Sequence, residues 1–485
     1  MMRPATALIA VAALLGAGTA AATVVAPNAS TPAPVSHDVP VTSASLACPL
    51  VQSETAKTRV SAAVAAVDAP GLVSPVLVGP LGDPKAAHPL LTKPYMAKSQ
   101  MGDGPDQPWR VDVRGPLAAG AAADQLTRVT EGEWRGLATA NCTAPTTEAW
   151  FAGFATDVGQ HSRLVLTNID DVAAVVHVDV WGQGGPVSGG GAMGVMVEPH
   201  KQTSMQLDEL APGLSVGALH VTTSAGRVAA AVNFGAQEGS LPLGTDWVPA
   251  TQGPARNLVV PGLVAGEGNR SLVLAVPGEV DADVTLRIVR PDGSFAPEDA
   301  PPVTVGAGSV VSVDLSQSLE GHPGAVVLSS TEPVVAGAVQ SVPGAGGTSD
   351  VTFSAAALPL STPAVVPGNQ AGPGQQTILQ LTAPDTDAAV TVHALPRDGS
   401  AAATKHLQIP AGTTQAFDVA GLTHDPHASL VVVPDKGSVV YGSRVLFDVD
   451  PRGSWTMVSS SPLTSVTMVR TVRAATPSLG EGLAH

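Results

Sequence analysis

The chain repeats itself. Three segments open on apolar strands, Arg163-Leu164-Val165-Leu166, Arg270-Ser271-Leu272-Val273-Leu274 and Thr377-Ile378-Leu379-Gln380-Leu381. Each continues about ten residues later into a strand that alternates apolar and polar residues. Val176, Val178 and Val180 share one face against His177 and Asp179; Val284, Leu286 and Ile288 oppose Thr285 and Arg287; Val390, Val392 and Ala394 oppose Thr391 and His393. Period-2 alternation marks strands with one buried face. Gly184-Gly185, Asp292-Gly293 and Asp398-Gly399 follow at matching places and supply hairpin turns. A repeat of roughly 105 residues with six or seven short strands is the length of one β-sandwich and too long for one propeller blade.

The expected fold class is therefore all-β: three tandem immunoglobulin-like sandwiches at 148–255, 256–362 and 363–473, preceded by a diverged β-rich domain at 46–147 with a helix-prone stretch near Glu54–Val67. Connecting strands that leave one sandwich and enter the next predict a stiff rod. An aromatic recurs at one repeat position, as Trp247, Phe353 and Trp455, and reads as packing because an aromatic buries a large area. Gly and Pro, 51 and 43 of 485 residues, are what many short strands and turns require.

The N-terminus sets the expected compartment. Arg3 precedes an uncharged run from Ala5 to Ala26, so 1–26 is a secretory signal or an uncleaved single anchor. Residues 27–45, rich in Pro, Ser, Thr and Ala, read as a spacer, and 474–485 as a disordered tail. In an exported chain the two cysteines, Cys48 and Cys142, form one disulfide. The net charge of −16 argues against nucleic acid as a partner, since few cations are available to displace phosphate counterions.

Several motifs resemble a known group. Trp150-Phe151-Ala152-Gly153, Leu164-Val165-Leu166-Thr167-Asn168, the Ala-Gly turns before a strand and Pro333-Val334-Val335-Ala336-Gly337 are similar to exported repeats of a domain-of-unknown-function family from high-GC Gram-positive bacteria. The resemblance covers about Cys142 to Arg473. It implies an exported, membrane-anchored or secreted protein built of tandem Ig-like repeats and carries no catalytic motif.

No nucleophile elbow, zinc helix or phosphate loop occurs, so no catalytic, cofactor or metal residues are assigned and the chain is expected not to be an enzyme. Three weaker features remain. Acidic loops recur at Asp170-Asp171, at Glu279, Asp281 and Asp283, and at Asp385 and Asp387; they read as solvated turns or as calcium ligands. His424-Asp425-Pro426-His427 reads as an exposed turn or half a metal site. Trp181, in a Gly-rich surround, is the one candidate ligand contact. The expected function is that of an extracellular or envelope-held spacer, adhesin or assembly scaffold. Its partners would be cell-wall polysaccharide or another envelope protein, with the membrane touched only through the N-terminal segment. The alternatives are a carbohydrate-binding module, or a hydrolase with carboxylates near Asp106, Asp112 or Glu133.

Overall fold

The structure, a computed structural model, describes residues 36–50, 56–65, 74–91, 98–103, 108–132, 134–187, 192–297, 302–344, 347–397, 402–449 and 456–473. The signal or anchor, most of the spacer, the tail, Asp106, Glu133, Asp398, Gly399 and Trp455 lie outside them. The chain divides into two bodies. The smaller is a two-stranded ribbon, Ser36–Pro40 antiparallel to Val469–Arg473. The larger, Val41–Met468, is all-β.

Alternation builds the strands. In Ala174–Gly182 Val176, Val178 and Val180 are buried and His177, Asp179 and Trp181 face out; Ala282–Arg290 and Ala388–Leu395 repeat the arrangement. Two expectations are corrected. The spacer ends before residue 45, because Ser36–Pro40 and Ser43–Cys48 are strands, with Val41 and Leu46 buried. The helix-prone stretch runs instead as the strand Lys57–Val64. Val60, Ala62 and Val64 enter one core while Ala63 and Ala65 pack against Val365 and Val431, so burial on both faces overrides alanine's helix preference.

Four two-layered units follow one plan. In the last, spanning 364–462, one sheet runs Ala364–Val366, Ser429–Pro434, Ala388–Leu395, Ala403–Ile409. The other runs Thr413–Asp418, Gln375–Ala383, Tyr441–Val449, Thr456–Pro462. An immunoglobulin sandwich keeps its last strand beside the preceding one, in a C-F-G sheet. Here Tyr441–Val449 crosses to the opposite layer and pairs with Gln375–Ala383. The third sandwich, at 255–355, makes the crossing within one continuous strand, Gly324–Pro343. Its first part pairs with Ala282–Arg290 and its second with Arg270–Ala275.

That crossing places an extra final strand at the inner edge of each unit: Gly136–Cys142, Leu241–Val248, Ser349–Ala355 and Thr456–Pro462. The four inner strands meet along one axis, and the fourth sandwich packs back on the first. The expected rod is thus a closed ring. Separate apolar clusters fill the joints. Trp247 packs on Ala138 and Ala140 between the first two sandwiches. Phe353 meets Phe234 edge-on, with ring centres 5.3 Å apart, between the second and third. Val264 and Val342 meet Val445 and Val458 between the third and fourth. Leu126 and Leu137 meet Leu446 and Met457 where the ring closes.

The closing joint alone among these carries a buried ion pair within the described residues, Arg444 with Asp124; beside it the half-buried Arg128 pairs with the buried Asp448 at 3.1 Å. The Val259–Gly262 and Val365–Gly368 motifs serve two of the joints. Gly262 holds a positive φ of 85°, and a Cβ there would fall 2.8 Å from Ser443. Its carbonyl accepts from Gln340 Nε2, Ser354 Oγ and Ser460 Oγ. Gly368 instead donates its N–H to Asp124 at 3.0 Å.

Truncating the fully buried Phe353 to Ala is expected to cost about 3–5 kcal/mol in denaturant unfolding, by lost burial and an unfilled cavity. Asp124→Ala alone strands Arg444 in the closing joint and is expected to cost about 3–5 kcal/mol. Replacing both partners by apolar residues of similar volume should be far milder in the same measurement.

Candidate functional site

Chemistry-bearing side chains gather at the ring axis and on the outer face of the second sandwich. On the axis, Asp246 and Asp350 are fully buried and no cation touches either among the described residues. Asp350 Oδ1 accepts the N–H of Val351 and Thr245, at 3.0 and 3.3 Å. Its Oδ2 accepts the N–H of Val458 and Leu137, at 2.9 and 3.2 Å. One carboxylate therefore takes a backbone donor from each of the four sandwiches. Gly244 allows it: a Cβ there would lie 2.4 Å from Asp350 Oδ1.

A second layer holds repeat-equivalent residues, Thr139, Asp246, Thr352 and Ser459. Asp246 Oδ1 accepts from Thr139 N (3.0 Å), Trp247 N (2.8 Å) and Ser459 Oγ (3.0 Å), and Oδ2 shares a hydrogen bond with Thr352 Oγ1 (2.7 Å). Burial pushes both carboxyls well above the usual carboxylate range, the charge of Asp246 adding to this for Asp350; the donors pull each back.

The outer face of the second sandwich carries the Trp181 candidate. Three strands, Glu148–Phe154, Gly217–Ala225 and Ala174–Gly182, bring Trp150, His220 and Trp181 side by side. The Trp150 ring stacks on His220 at 3.7 Å and on Trp181 at 5.5 Å between centres. Glu148 Oε1 receives Trp150 Nε1–H at 3.0 Å and lies 3.0 Å from His220 Nε2. The bonds from Trp150 and His220 hold the Glu148 carboxyl below its usual value, with burial opposing them. Trp150 is buried against Val273, Ala275 and Val335 of the third sandwich, with Trp181 half-buried at the rim. The stack thus belongs to a joint and also meets solvent. Periodicity alone did not single out Trp150, Glu148 or His220; their shared outward position on adjacent strands is visible only once the pairing is known.

The acidic loops hold other partners. Arg227 bridges Asp170, His200 pairs with Asp171, and Arg287 reaches Asp385 at 2.6 Å. Asp281 and Asp387 accept the N–H of Ala307 and Ala411, each at 2.8 Å, fastening the Ala-Gly turns. The His424–His427 segment is a turn organised by Asp425, which accepts from His427 N and Arg397 N. Burial, with Arg397 and Arg59 nearby, lowers the basicity of His427. Among the described residues no group of three or more His, Cys, Asp or Glu could hold a metal ion. Cys48 and Cys142 are disulfide-bonded, and Asp112 pairs with Arg110 at 2.6 Å. Among the described residues no helix is long and apolar enough to cross a membrane.

A protein family described as a family of unknown function, DUF5719, matches residues 97–420, about two thirds of the chain. The chain belongs to that family. No curated protein matches it. Among solved structures it is similar to the crystal structure of Thermotoga maritima 1070, 16% identical, over 21% of this chain and 93% of that one, with a TM-score of 0.17. A likeness this slight carries no weight on function.

Glu148 is expected to stay ionised to lower pH than a free glutamate. Its folded-state pKa is depressed, so its contribution is present above the unfolded value and lost as pH falls through the folded one. Indole emission should therefore shift on acidification only below the ordinary glutamate range, and Glu148→Gln should abolish that shift.

Proposed function

We propose that the protein is a non-enzymatic, exported component of the cell envelope that acts as a rigid assembly scaffold. The closed ring carries this reading: four sandwiches locked to a common axis hold their outer loops at fixed separations, as a platform for partners requires. The Cys48–Cys142 disulfide supports an oxidising compartment, and the uncharged run at Ala5–Ala26 supports export. Its partners are another envelope protein or cell-wall polysaccharide. The polysaccharide reading draws on one observation, the half-buried Trp181 beside Trp150, His220 and Glu148, since stacked rings with a carboxylate and an imidazole suit a sugar face.

Cell fractionation with intact-mass measurement tests the first reading. Recovery in the envelope or medium with Cys48–Cys142 oxidised is expected; a cytoplasmic, reduced protein would overturn it. Incubation with purified cell wall should release no soluble sugar or peptide, and release would establish a hydrolase instead. Co-sedimentation with that wall material, lost on Trp181→Ala while the unfolding midpoint is kept, would favour polysaccharide over protein as partner.

A further inference from the structure

The axial acids carry an inference about how the ring is held shut. A carboxyl with a proton needs an acceptor for it. Asp350 has none: its oxygens receive four hydrogen bonds, all from backbone N–H groups, which only donate. It is built to be an ion. Asp246 differs. Its Oδ1 is filled by three donors, but Oδ2 has a single partner, the hydroxyl of Thr352, and a hydroxyl accepts as well as donates. Thr352 Oγ1 is itself fixed by the N–H of Ser460 at 2.6 Å, which leaves it a second lone pair.

Among the described residues no compensating cation contacts the pair. Gly136–Cys142 and Thr456–Pro462 contribute no ionisable side chain to the axis, while Leu241–Val248 and Ser349–Ala355 contribute only the two acids. On the flanking strands Arg444 is paired with Asp124 and Arg128 with Asp448, while Gln340 and Asn233 are neutral. Glu131 and Arg135 line an open surface groove with Gln237 and Ser240. Two unscreened anions in one buried joint repel, which favours the state in which one of the two keeps its proton.

We infer that the axis is closed by one carboxylate and one carboxylic acid, with the proton on Asp246 Oδ2 directed at Thr352 Oγ1, and that removing this proton loosens the joint between the four sandwiches. The ring is then a pH-sensitive lock. The sign follows from linkage: a carboxyl that keeps its proton more tightly when folded stabilises the fold at low pH, and this is lost as pH rises through the folded value.

The test is the unfolding equilibrium of the full chain across neutral to alkaline pH in three forms. In Asp246→Asn the amide nitrogen donates where the acid proton did and the amide oxygen keeps its three donors. In Asp350→Asn the amide nitrogen faces two N–H groups. The expected result is that Asp246→Asn folds and loses a pH dependence that the natural chain shows, the two diverging about tenfold in unfolding constant per pH unit between the unfolded-state and folded-state titrations of Asp246 and keeping a constant difference above them. Asp350→Asn is expected to be destabilised at every pH or to fail to fold. A carboxyl ¹³C spectrum of the natural chain should add one protonated aspartate at neutral pH, absent from Asp246→Asn. A parallel alkaline decline in the Asp246→Asn variant would overturn the inference. So would a tolerated Asp350→Asn beside a misfolded Asp246→Asn, or a spectrum in which both acids are ionised.

Discussion

Everything in the larger body converges on the carboxylate of Asp350. Its two oxygens collect one backbone N–H from each of four sandwiches, so a single side chain satisfies donors that no ladder could reach at the place where four sheet edges meet. An inner edge strand is normally a liability because its unpaired groups invite foreign strands. Here the edges are turned toward one another and plugged by acids, hydroxyls and glycine. The apolar joints further out add burial area, but they are all-purpose contacts; the axis is where geometry becomes specific.

Closure also needs the first and fourth sandwiches to recognise each other. Three joints are made between neighbours in the chain. The last could instead be made with another molecule, giving an open filament. The buried pair Arg444–Asp124 and the half-buried pair Arg128–Asp448 stand at that joint. The register-equivalent positions in the second and third sandwiches are uncharged, Val232 and Ala338 for the first pair, Ala236 and Val342 for the second. Among the described residues the fully buried Arg444–Asp124 pair sets the closing seam apart, since the Arg287–Asp385 pair between the third and fourth sandwiches is exposed.

Much of the architecture was legible in the sequence, for a physical reason. Alternation at Val176–Val180, Val284–Ile288 and Val390–Ala394 reports one-sided burial, a local property, and the recurring Trp247 and Phe353 lie at joints as packing residues should. The ring was not legible. A tandem array and a closed ring bury the same strand faces, and the difference rests on where inner edges point. A signal is nonetheless present: Asp246 and Asp350 sit inside otherwise uncharged strands, whereas the acids of the recurring loops, Asp170 to Asp387, lie in turns where acids are common. The aromatic stack at Trp150 escaped for a related reason, since cross-strand neighbours far apart in sequence become visible only with the register.

The backbone N–H of Val41 donates to the carbonyl of Met468 at 3.2 Å, so the chain enters and leaves the ring at one seam. A closed circle of like units has no inherent first member. Cutting the chain between any two sandwiches and joining Val41 to Met468 by a short peptide would leave each axial contact in place, with every donor to Asp350 supplied as before. The order of the units along the gene is therefore one of four permutations of the same object, and the disulfide from Cys48 to Cys142, confined to a single sandwich, does not choose among them.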